Sequence, residues 1–242
     1  KIQEASKAIS AQYIEDFTQK MFDRLKAENY EYIQERLKSP DVQAAISTSI
    51  VHVARMTDKS HQEVLCELLV QKINETEDEE NLILNNSIEV MSKITKNQIL
   101  FLVFNFLLRN VSKTKIGTNT LCKDPMVHYE YFENEIFNII GTTISPINIF
   151  LLSHNGLISD GLKTYSLPLK ELLSQRTNID LSGYKVDENI KSDDEFSRHF
   201  PNLSRLIIDF GFTKLKDLDT HPTTPIANTI AHAHLKNVGY LQ

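Results

Sequence analysis

The residues that could do chemistry are eight histidines, two cysteines and a few clusters of acids. His221, His232 and His234 crowd the carboxyl end of the chain. On a helix, His232 and His234 would point about 200° apart, whereas a helical metal pair needs i,i+3 or i,i+4 spacing. The spacing therefore favours partly buried histidines with backbone partners over a metal site.

The remaining nucleophile candidates have settings that suppress reactivity. Cys66 sits in the apolar run 64–69, where burial raises a thiol pKa and hides the sulfur. Cys122 lies in a polar stretch without a neighbouring partner. His52 and His61 flank a turn near Thr57 and are expected to be surface or capping residues. Two lone cysteines in 242 residues favour a reducing compartment, and we expect a cytoplasmic protein.

Motifs for phosphate binding and acyl transfer are absent from the sequence, which has too few glycines to build them. The acidic clusters at 78–80 and 193–195 are typical of helix starts, where carboxylates suit the helix dipole. We therefore predict no catalytic, cofactor-binding or metal-binding residue and a protein that is not an enzyme. An enzyme whose site is built from dispersed acids and histidines stays open as an alternative.

Composition points to a mainly α protein, because 7 Gly and 7 Pro leave little material for the turns of an all-β fold. The net charge of −6 argues against a protein that binds nucleic acid or anionic lipid by bulk electrostatics.

The longest apolar run, 99–108, is half the length of a membrane span of about 20 residues. Because the chain begins at Lys1 without a methionine, an anchor or domain upstream stays open.

The first half of the chain predicts a helical bundle over residues 1–110, followed by a linker at 111–124. Residues 1–38 predict a long first helix, with a kinked pair of shorter helices as the alternative. Capping boxes at Ser60 with Glu63 and at Thr95 with Gln98 open two later helices. The second box precedes the apolar run 99–108, which predicts the central helix of the bundle.

One apolar stripe on the first helix predicts a self-association face. Its members recur every four residues and would leave an apolar surface for a partner if the rest of the chain did not cover them. They are Ile9, Tyr13, Phe17, Met21 and Leu25.

The second half, 125–242, predicts a winged-helix-like domain. Pro125 opens a helix to residue 140, and Gly156 and Gly211 each follow a helix and precede a β-prone stretch. Thr224 and Pro225 open the last helix. Such a domain could bind nucleic acid through polar side chains on an outer helix face. The candidates on two helices are Lys170, Gln175, Arg176, Asn228, Lys236 and Asn237.

Three stretches resemble a group of bacterial proteins related to the Abi-alpha (abortive infection alpha) family. They are 39–43 (SPDVQ) leading to 63–70 (EVLCELLV), then 89–99 (EVMSKITKNQI), and the paired glycine elements 156–158 (GLI) and 211–212 (GF). The similarity spans most of the chain from about residue 30. At 223–227 (TTPIA) this chain lacks the glycine expected before the last helix. The resemblance implies a role in defence against bacteriophage, and it implies no site residues.

These observations favour a non-enzymatic helical interaction protein that oligomerises with itself through the first helix or binds another protein. A nucleic-acid-binding winged-helix regulator is the first alternative, although the acidic balance does not favour it.

Overall fold

The computed structural model describes residues 2–26, 28–111, 125–159, 167–191 and 194–241. The regular structure of these ranges is helical, as the composition predicts. The helices are α1 Ile2–Leu25, α2 Tyr30–Leu37, α3 Pro40–Val53, α4 Lys59–Asn74, α5 Asp78–Val90, α6 Lys96–Arg109, α7 Pro125–Ile140, α8 Ile149–His154, α9 Leu169–Thr177, α10 Glu195–His199, α11 Pro201–Asp209, α12 Leu215–Asp219 and α13 Pro225–Asn237, with a 3-10 turn at Met91–Lys93.

No β-strand occurs in the described ranges, where extended backbone forms an isolated antiparallel bridge between Ile158 and Thr223. A winged helix needs a paired β-ribbon, so the structure does not support the predicted winged-helix-like part. None of the helices in these ranges has the length and the apolar content needed to cross a bilayer. The predicted linker at 111–124 lies outside the described residues, apart from Val111.

The predicted long helix over 1–38 is wrong, because the segment forms two helices, α1 and α2, as the alternative of a kinked pair predicted. Asn29 is the N-cap of α2: its side-chain oxygen accepts hydrogen bonds from the backbone N–H of Glu31 at 3.0 Å and of Tyr32 at 3.2 Å. An asparagine that satisfies two helix-start donors stabilises a new helix more than continuation of the old one. The stripe pattern could not reveal this break, because it continues across it.

The chain divides into two compact units. Unit 1 contains Lys1–Ile99 and Pro225–Gln242, and unit 2 contains Leu100–Thr224. The sequence assigned α13 to the second domain, but α13 packs on α4 and α5 in unit 1. Its inward residues are mostly small or aliphatic, so the helix can approach its neighbours closely: Ala227, Ile230, Ala231, Ala233 and Leu235 are all fully buried.

The central helix of unit 1 is α4, which contacts α1, α2, α3, α5 and α13. Leu65, Leu68, Leu69 and Ile73 are completely buried there. The sequence predicted this place for 99–108, whereas residues from Leu100 onward belong to unit 2. The central position of α4 could not be predicted from its apolar content, because α4 also carries buried polar residues. Among them are Glu67 and Lys72, whose charged groups form ion pairs.

The helix starts follow the predicted capping devices in part. Thr95 and Gln98 form the expected box, with Gln98 Oε1 accepting from Thr95 N at 2.8 Å and Thr95 Oγ1 accepting from Gln98 N at 3.3 Å. The Ser60–Glu63 box is wrong, because Asp58 caps α4 by accepting from His61 N at 2.9 Å. A carboxylate at the N-cap also interacts favourably with the helix dipole.

Unit 2 is built around aromatic residues and charged helix caps. Phe101 and Phe104 of α6 lie 5.4 and 5.5 Å from Phe210, ring centre to ring centre. Glu133 is buried and accepts a hydrogen bond from Leu203 N at 2.8 Å, at the start of α11. The predicted helix Pro125–Ile140 and the predicted stop at Gly156, with φ of +70°, are confirmed.

Candidate interaction surface

The predicted self-association stripe of α1 is buried at its carboxyl half and more exposed at its amino half. Phe17, Met21 and Leu25 are 2%, 4% and 4% exposed, because α1 packs on α3 and α4. Ile9 is 54% exposed and Tyr13 is half-buried. The carboxyl half of the stripe is therefore part of the core of unit 1, and only the amino half remains accessible to a partner.

The amino half of the stripe lines a groove of about 440 Å³. One wall comes from α1 and the other from the segment that follows α3; the lining residues are Ser6, Ile9, Ser10, Tyr13, Ala54, Arg55 and Thr57. Ser10 Oγ donates a hydrogen bond to Ala54 O at 3.1 Å and so fixes the two walls together. The groove is preformed within unit 1.

The groove carries one positive charge, from Arg55. Its side chain is exposed at the rim of the groove. An apolar groove with a charged rim is the usual form of a protein-binding surface, because apolar burial supplies affinity and the charge supplies orientation.

An ion-pair network fixes the other half of α1. Arg24 contacts Glu63 at 2.6 Å and Glu67 at 3.0 Å, and Lys20 also pairs with Glu63. Lys236 of α13 contacts Glu67 at 3.2 Å, so the network joins α1, α4 and α13. Such partly buried pairs favour one register between helices, which holds the carboxyl half of α1 in place.

The histidines do not form a metal site among the described residues, where no group of three metal-ligating side chains occurs. His61 Nε2 donates to Met91 O at 2.7 Å in a buried setting. His221 Nδ1 contacts Asp217 O at 2.7 Å. Burial lowers the pKa of His61, His232 and His234 below the usual 6.5, so these rings are neutral near pH 7.

Cys66 has the environment that the sequence predicted. Its side chain is fully buried, and burial raises the pKa of the thiol to about 11. The thiolate form needed for nucleophilic attack is therefore scarce at neutral pH. Cys122 lies outside the described residues.

Most candidate nucleic-acid contacts are occupied within the chain. Arg176 donates to Leu108 O at 2.6 Å and to Arg109 O at 2.9 Å, at the end of α6. Lys170 donates to Ser182 O and Tyr184 O at 3.1 and 2.8 Å. Lys236 pairs with Glu67, the amide atoms of Asn237 are buried, and Asn228 also interacts within the chain. Gln175 stays exposed.

Sequence reasoning missed the second wall of the groove. The sequence predicts a turn at Thr57 and assigns no role to Arg55, because nothing in these residue types marks a binding surface. The available signal was a lone arginine directly after an apolar helix end. Its significance depends on Ser10 meeting Ala54, a contact between residues 44 apart in sequence.

Comparison with known proteins gives a family and no activity. No curated protein and no solved structure matches the chain. One family model, described as ":-like", matches residues 1–238 of the 242. This description names no substrate, cofactor or partner. The chain belongs to this ":-like" family over almost its whole length.

Proposed function

We propose that this chain is a non-enzymatic interaction protein that self-associates through the groove between α1 and the end of α3. The observation that carries the proposal is the stripe of α1: it is buried from Phe17 onward and emerges at Ile9, where it lines an apolar groove. A second copy of the chain, presenting the same surface, is the proposed occupant.

The energetics favour an occupied groove. Ile9 and Tyr13 lie four residues apart on one face of α1, the spacing by which helices anchor into apolar grooves. Ile9 is 54% exposed, so burial of its remaining surface would contribute roughly half of the 1.5–3 kcal/mol of a fully buried isoleucine. Because the groove is preformed, little conformational entropy is lost on binding.

Light scattering of the full chain tests the proposal. We expect an oligomer for the wild type and a monomer for Ile9→Asp, because a carboxylate cannot be buried unpaired in an apolar contact. Leu82→Asp on α5 is the matched control, since Leu82 is 61% exposed and lies outside the groove. It should leave the oligomer intact. A monomeric wild type, or equal behaviour of the two variants, contradicts the proposal.

The cellular role proposed here is cytoplasmic defence against bacteriophage, and the resemblance to Abi-alpha proteins supports it. Plaque assays on a bacterial host that expresses the full chain test this role. We expect fewer plaques with wild-type protein and with Leu82→Asp, and no protection with Ile9→Asp. Protection that is absent in all three strains would contradict the defence role and leave self-association standing.

A further inference from the structure

The exposed side of α1 carries a carboxylate, Asp16, in line with Ile9. The two residues are close to two helical turns apart, so their side chains point in directions that differ by only about 20°. Asp16 is half-buried, and its Oδ1 accepts a hydrogen bond from Gln12 Nε2 at 2.7 Å in an exposed setting. The face of α1 that offers an apolar side chain at Ile9 therefore also offers a negative charge.

The groove beside this face has the opposite charge. Among the described residues that line it, only Arg55 is charged, and its side chain is exposed. One copy of unit 1 thus presents both a groove with a cation and a helix face with an anion. A twofold interface needs such self-complementarity, because each copy supplies both contact surfaces.

An antiparallel pairing of two α1 helices brings these charges together. We set Ile9 of one copy opposite Tyr13 of the second copy, which by twofold symmetry also sets Tyr13 opposite Ile9. Ser6 precedes Ile9 by three residues, and Asp16 follows Tyr13 by the same number. The register therefore sets Asp16 of the second copy opposite Ser6. Because Ser6 and Arg55 line the same groove, this carboxylate arrives beside the guanidinium of Arg55.

We infer that the chain forms an antiparallel twofold dimer in which Arg55 of each copy pairs with Asp16 of the other. The inference rests on the proposed self-association and names its orientation. Apolar contact through Ile9 supplies affinity, and the two symmetric ion pairs select the register. A parallel twofold pairing would instead set Asp16 against Asp16 of the second copy, where like charges repel.

Charge reversal in the full chain tests the pairing, with light scattering and native mass spectrometry as the measurements. Arg55→Asp and Asp16→Arg each place like charges against one another twice in the homodimer. Each variant alone should therefore raise the dissociation constant of the homodimer about tenfold or more. An equimolar mixture of the two variants should form a heterodimer about tenfold in excess of either homodimer, because both ion pairs return with their charges exchanged.

Glu15→Arg is the matched control for Asp16→Arg. Glu15 is exposed on α1, undergoes the same change of charge and points about 100° away from Asp16. Mixed with Arg55→Asp, this control should give no excess of heterodimer. Circular dichroism spectra of all variants should equal that of the wild type, since none of the substituted side chains is fully buried.

Two outcomes separate this inference from the proposed function. A mixture of Arg55→Asp and Asp16→Arg without excess heterodimer, in a protein whose wild type dimerises and whose Ile9→Asp variant does not, would overturn the pairing. Self-association through the groove would then stand. A monomeric wild type would overturn both.

Discussion

The buried ammonium of Lys72 gives the sharpest test of how unit 1 is held together. Its side chain is completely buried and belongs to the last turn of α4. Its Nζ donates to Asp41 of α3, to Asn81 Oδ1 at 2.7 Å and to Asn81 O at 3.4 Å. Asp41 also accepts from Asn85 at 3.0 Å. One lysine thus connects α3, α4 and α5.

Lys72→Met retains most of the side-chain volume and removes the charge. Hydrogen bonds to a charged group contribute about 1.5–3 kcal/mol each when buried. Asp41 is 53% exposed, so water replaces part of its lost interaction, whereas Asn81 loses its partner. We expect the free energy of unfolding to fall by about 2–3 kcal/mol.

Urea denaturation followed by circular dichroism measures this change, with Lys59→Met as control. Lys59 is exposed at the start of α4, and its replacement should alter stability by less than about 0.5 kcal/mol. The hydrogen bond from Lys72 lowers the pKa of Asp41 below 3.8. The contribution of the pair is therefore complete above pH 3.8 and is lost as the pH falls through the lower pKa of the folded state. The reasoning is refuted if Lys72→Met is as stable as Lys59→Met.

Three further measurements test contacts of Arg176, Gly211 and the buried histidines. Arg176→Lys should lower the free energy of unfolding by about 1–2 kcal/mol, because an ammonium cannot span the carbonyls of Leu108 and Arg109 as the guanidinium does. Urea denaturation measures this change with Gln175→Ala as the control, and equal effects of the two variants would contradict the role of Arg176 at the end of α6. Gly211→Ala should lower the melting temperature more than Gly141→Ala. Both glycines have a positive φ (+95° and +82°), but only a Cβ at Gly211 would lie 3.1 Å from Pro146 Cβ. A larger fall in melting temperature for Gly141→Ala would refute this contact. Stability should fall as the pH drops from 7.5 to 5, because burial lowers the pKa of His61 and His234 below 6.5 and the unfolded chain therefore binds protons first. His61→Gln should flatten this slope in denaturation over the same pH range, and an unchanged slope would contradict the assignment of His61.

Local signals predicted the elements of this fold better than their assembly. Pro125, Thr95 with Gln98, and Gly156 each act within a few residues, so their roles could be predicted from the sequence alone. The self-association stripe was predictable as a face of α1, but its division into a buried and an exposed half depends on where α3 and α4 lie.

The groove depends on a long-range contact that the sequence does not display, because it needs Ser10 to meet Ala54. Arg176 is likewise not available as a nucleic-acid contact, because it binds the end of α6, 67 and 68 residues away.

The return of α13 to unit 1 has a consequence for synthesis. The face of α4 and α5 that α13 covers stays uncovered until residues 225–237 have been synthesised, after the whole of unit 2. Until then, the nascent chain exposes apolar surface and is vulnerable to aggregation. A chain interrupted anywhere before residue 225 would carry this open face permanently. Proteases that cleave exposed apolar segments would thus discriminate chains that contain α13 from shorter fragments.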